Sequence, residues 1–115
     1  MTPLDKQTKI LLIRAAEDEA VLALDGVPDG PFGFHVQQAI EKRLKALLCQ
    51  CSIDYRFTHD LDLLANLLRA SGETLPDCCE DFSSISEYAV TQRYEDVPEF
   101  LALDRQQAMN TVKQL

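Results

Sequence analysis

Apolar residues recur at helical spacing along most of the chain, and the clearest case is residues 34–51, FHVQQAIEKRLKALLCQC. At about 100° per residue, Val36, Ile40, Leu44, Leu47, Leu48 and Cys51 share one face, and His35, Gln38, Lys42, Lys45 and Cys49 gather on the opposite one. No Gly or Pro interrupts the run, and its Gln, Glu, Lys, Arg and Leu side chains lose little rotamer freedom in a helix. The pattern therefore predicts an amphipathic helix. Its polar side sets Gln38, Lys42 and Lys45 in one row at i, i+4 and i+7, with Glu41 within i+4 reach of Lys45. Two lysines in one row make a small cationic strip.

The same reading predicts helices elsewhere. Ile10, Ile13, Ala16, Ala20, Ala23 and Leu24 form a stripe along a first helix of about residues 4–24, with Pro3 in its first turn. Its central alanines would let a neighbouring helix approach closely, and Glu17 reads as a solvated stripe edge. Residues 25–33, DGVPDGPFG, hold three of the four glycines and two of the five prolines and read as a loop, pinned at its end by Phe32 and Phe34. Thr58 is the expected N-cap of a third helix, with Asp60 complementing its dipole and Leu61, Leu64, Ala65 and Leu68 on its buried side. Ser71 and Gly72 end that helix. A second loop spans residues 73–80, then a fourth helix carries Phe82, Ile85 and Ala89 to about residue 94, ahead of Pro98. A last helix of about residues 100–114 carries Leu101, Ala108, Val112 and Leu115. No alternating β pattern or Asn-Gly turn competes, so the expected fold is all-α: an antiparallel up-and-down bundle of four to five helices, one domain over residues 1–115.

Composition narrows the function. Lys and Arg number 11 against 19 Asp and Glu, giving a net charge of −8, which repels polyanions and disfavours extended nucleic-acid binding. A compact phosphate ligand is compatible, because screening limits surface charge effects to about 8–10 Å. No apolar run approaches the roughly 18 residues of a membrane span, and the start lacks a signal-peptide pattern. A cytoplasmic protein with reduced cysteines is expected.

The four cysteines, Cys49, Cys51, Cys78 and Cys79, lack zinc-ligand spacing: Cys49 and Cys51 would point about 200° apart on a helix. No metal and no cofactor are expected. Neither a Walker-type glycine loop nor a GxSxG elbow occurs. Taken alone, His59 reads as a structural histidine, and Lys42 with Lys45 as a solvated helix face.

Combined in order, these pieces resemble the HEPN domain (higher eukaryotes and prokaryotes nucleotide-binding domain). Phe34, His35, Gln37, Gln38, Ala39, Glu41, Lys42, Leu44, Lys45 and Ala46 fit its second-helix pattern. Thr58, His59, Asp60 and Leu64 fit the start of the third helix, and Arg93 with Tyr94 the end of the fourth. The Ala-x-x-Asp-Leu signature of the first helix is only loosely echoed over residues 16–20, with Glu19 in the acid position. The resemblance implies a helical bundle, usually a dimer. One branch is proposed to bind nucleotides, often beside a minimal nucleotidyltransferase in a toxin–antitoxin-like module; another is a metal-independent ribonuclease using Arg-x(4-6)-His. Here residues 52–54 before His59 are Ser, Ile and Asp, and residues 28–30 before His35 are Pro, Asp and Gly, so that motif is absent. Arg56 precedes His59 by only three residues.

The reading that follows is a non-catalytic domain binding a nucleotide-like phosphate through Gln38, Lys42, Lys45, His59 and Arg93, pairing with a minimal nucleotidyltransferase, or both. No residue is assigned a catalytic role, and a homodimer is expected. Two other readings stand beside it: a ribonuclease toxin with a divergent site built on Arg56 and His59, or on Arg93 with a histidine from elsewhere, and a structural scaffold in which Glu41, Lys45, His59 and Arg93 form a polar network.

Overall fold

A computed structural model describes residues 5–75 and 105–115. The described residues form helices α1 (Lys6–Leu22), α2 (Asp29–Gln50), α3 (Leu61–Ala70) and α4 (Arg105–Gln114), and the architecture is an all-α antiparallel bundle. The predicted fourth helix, with Phe82, Ile85 and Ala89, lies outside the described residues, as do Arg93, Tyr94, Cys78, Cys79 and Leu101.

α2 is the central element. Phe32, Val36, Ile40, Leu44 and Leu48 lie in one i+4 row, all buried, and pack with Leu61, Leu64, Ala65 and Leu68 of α3 and Ala108 and Val112 of α4. The helix begins at Asp29, several residues before the predicted start, so the second half of the expected 25–33 loop is helical. Pro31 is compatible because it falls in the first turn, where backbone N–H groups have no helical acceptor. Gly30 and Gly33 disfavour helix by about 1 kcal/mol each. Burying Phe32 contributes roughly 1.5–3 kcal/mol, the same size as their combined cost.

Helix ends follow local chemistry. Asp5 caps α1 by accepting from the Thr8 N–H at 2.7 Å. α3 is capped by Asp60, which accepts from the Leu63 N–H at 3.1 Å; the expected cap, Thr58, instead accepts from the Asp60 N–H through Oγ1. α2 and α3 both end in Schellman turns. In α3 the left-handed position is Gly72, φ 96°, and in α2 it is Ser52, φ 58°.

α1 buries a different face from the one predicted. Thr8, Ala15, Asp18 and Leu22 are buried, whereas Ile10, Ile13, Ala16, Ala20, Ala23 and Leu24 are exposed. Glu17 is exposed and pairs with Arg14, as a solvated edge residue would. The inward face of α1 is thus chosen by a carboxylate with partners on α2.

Candidate functional site

That carboxylate is Asp18, which accepts from His35 Nδ1 at 2.8 Å through Oδ1 and from Lys42 Nζ at 2.6 Å through Oδ2. An ionised carboxylate only accepts, so Nδ1 carries the proton and the ring is oriented with Nε2 pointing away from the acid. Both partners come from α2, two turns apart on the same face. Beside them, Arg43 grips Glu19 with Nη2 at 2.8 and 2.7 Å from the two carboxylate oxygens. The α1 acid that meets His35 and Lys42 is thus Asp18, one residue before Glu19, which meets Arg43 instead.

A second carboxylate repeats the chemistry. Glu41, buried on α2, accepts from His59 Nδ1 at 2.8 Å through Oε1 and from Lys45 Nζ at 3.2 Å through Oε2. His59 sits just before the α3 cap, and the Gln37 side-chain amide reaches its carbonyl at 3.4 Å. Lys45 is itself buried, with its ammonium 5.5 Å from the Phe57 ring centroid and 5.8 Å from that of Tyr55. Phe57 stands edge-on to the His59 ring at 5.3 Å and is 87% exposed. The Tyr55 hydroxyl lies 3.8 Å from Cys49 Sγ. Burial, followed by the Cys49 hydrogen bond and the Cys49 and Glu41 charges, pushes the Tyr55 phenol up to about 12.

Of the predicted site residues, Lys45 and His59 meet through Glu41, and Lys42 belongs to the Asp18 set. Gln38 is half-buried on α2, and Arg93 lies outside the described residues. The lysines do not form a bare cationic strip, since each is ion-paired to a buried carboxylate. Each still has two N–H donors beyond the one given to its acid. Cys51 is exposed rather than on the apolar face, and it meets Glu73, while Cys49 meets Tyr55, so the two thiols diverge. Sequence reasoning missed Asp18, because its partners are 17 and 24 residues away and no local periodicity points to them.

The family model described as HEPN domain matches residues 30–115. The chain belongs to the HEPN domain family. No curated protein and no solved structure matched it.

Proposed function

We propose that this HEPN domain is a non-catalytic cytoplasmic binding module for a nucleotide or similar phosphate ligand, received where Glu41 holds His59 and Lys45. The observation that carries this reading is the exposed imidazole edge of His59, fixed by a buried acid and flanked by a buried ammonium and an exposed aromatic ring. An anionic oxygen would take charge-assisted hydrogen bonds from the Lys45 donors and from Nε2 of a protonated His59. The Phe57 ring offers a surface on which a base can stack. Gln38, Lys42 and Arg93 remain proposed ligand contacts. Calorimetric titration of a nucleoside 5′-monophosphate should give at least about tenfold weaker binding for His59→Ala than for wild type, the effect of one charged hydrogen bond. Equal affinities would remove His59 from the site.

A second reading, pairing with another protein, is supported by the exposed apolar side chains of Ile10 and Ile13 on α1 and of Leu24 just beyond its end. A second copy of the chain is the partner that a homodimer requires; a minimal nucleotidyltransferase would use a surface of the same kind. Light scattering should report a dimer for wild type and a monomer for Ile13→Glu. A wild-type monomer at every concentration sinks the homodimer.

A further inference from the structure

Two outer faces of the bundle carry an apolar pair beside charges of opposite sign. On α1, Lys6, Lys9, Ile10 and Ile13 fall at i, i+3, i+4 and i+7, which places them on one side of the helix, and all four are exposed. Ile10 keeps 41% of its surface in water and Ile13 60%. Among the described residues neither Lys6 nor Lys9 has an ion-pair partner. The packing of α1 within the bundle runs through Thr8, Ala15, Asp18 and Leu22, on its other side.

On α3, Asp60, Asp62, Leu63, Asn66 and Leu67 line a surface hollow of about 390 Å³. Leu63 and Leu67, at i and i+4, supply its apolar lining, and Asp60 and Asp62 lie at the end nearest the start of the helix. Every one of these residues belongs to α3 or its cap, so one helix alone walls the hollow. A small molecule there would keep most of its surface in water, whereas ligand pockets bury about 70–90% of what they hold. A hollow open on one side instead receives a ridge of side chains from another helix.

We infer that a second copy of the chain supplies that ridge: Ile10 and Ile13 of one copy seat against Leu63 and Leu67 of the other, with Lys6 and Lys9 beside Asp60 and Asp62. This rests on the homodimer reading above and names the surface that α1 meets. The match is one of charge as well as shape, since the apolar pair with lysines around it meets the apolar pair with aspartates around it. Each copy carries a net charge of −8, so two copies repel at a distance. Screening confines that repulsion to about 8–10 Å, and at contact the opposite local charges set the register. Against a second α1, the lysines would have to compete for Glu17, which Arg14 already holds at 3.1 Å. A twofold pair makes the α1-on-α3 contact twice.

The test is light scattering of the full chain over a concentration series. Wild type, Ile13→Glu, Leu63→Lys and an equimolar mixture of the two variants are compared, with far-ultraviolet circular dichroism as the check on helicity. Leu67 also packs on the core and is left in place; should Leu63→Lys lose helicity, Asn66→Lys at an exposed lining position replaces it. Wild type dimerises. Each variant alone sets like charges together, a carboxylate in the acidic hollow or an ammonium beside Lys6 and Lys9, and its dissociation constant rises at least about tenfold. The mixture recovers the dimer, because one contact keeps both native surfaces and the other pairs the new carboxylate with the new ammonium. Dimerisation of Leu63→Lys like wild type, or a mixture as weak as its components, overturns the α1-on-α3 contact and leaves the homodimer standing. A wild-type monomer at every concentration overturns both.

Discussion

The Asp18 and Glu41 sets use the same three side-chain types but meet water differently: the His35 side chain is 26% exposed and that of His59 60%. The Asp18 set joins two helices, so its polar groups are enclosed by the α1–α2 contact. The Glu41 set joins an i,i+4 pair within α2 to a connection, so its acid is buried and its Lys45 side chain keeps 10% exposure while its imidazole stays at the surface. The difference teaches that a buried carboxylate can clamp helices in one place and hold a binding group outward in another. Which of these it does depends on whether its histidine is carried by a helix or by a connection.

Removing each acid in turn is the most severe way to break this comparison. Glu41→Ala leaves the Lys45 side chain, 10% exposed, without its counter-charge, and should cost about 3–5 kcal/mol. Asp18→Ala should cost less, roughly 1.5–3 kcal/mol, because Lys42 is 24% exposed and can turn its ammonium into solvent. Urea unfolding measures both, and the reverse order would mean that the α1–α2 clamp, and not the Lys45 pair, is the more enclosed charge system. A smaller effect concerns Tyr55, whose phenol is raised to about 12. The fold favours the protonated form, so this contribution is complete below the ordinary value near 10 and is lost as pH rises through about 12. Tyr55→Phe should leave neutral-pH stability nearly unchanged and flatten the alkaline decline. Superimposable pH–stability curves for the two proteins would show that Tyr55 is not enclosed beside Lys45 and Cys49.

The readable parts of the fold are those where burial follows apolar periodicity. Leu61, Leu64, Ala65 and Leu68 of α3 were marked by spacing alone and are all buried, as are Val36, Ile40, Leu44 and Leu48 of α2. The Glu41–Lys45 contact follows from i,i+4 geometry and was equally visible. The rest depends on contacts between distant residues. α1 turns Ile10 and Ile13 outward because its inward face is set by Asp18 meeting His35 and Lys42, and Asp18 resembles any surface acid until α2 is beside it. The start of α2 was obscured by Gly30, Pro31 and Gly33, whose helix preferences are poor and which are held helical by the burial of Phe32. Lys42 and Lys45 were found as a row, but a row shows only adjacency, and their neutralising partners include an acid from another helix.

α2 also carries a constraint that its length makes plain. His35, Glu41, Lys42 and Lys45 all hang on one unbroken rod, and each added or deleted residue turns everything beyond it by about 100° and shifts it by 1.5 Å. A one-residue insertion or deletion between positions 35 and 45 would therefore throw one set out of alignment with the other. The interval can exchange side chains, but it has no freedom to change its count.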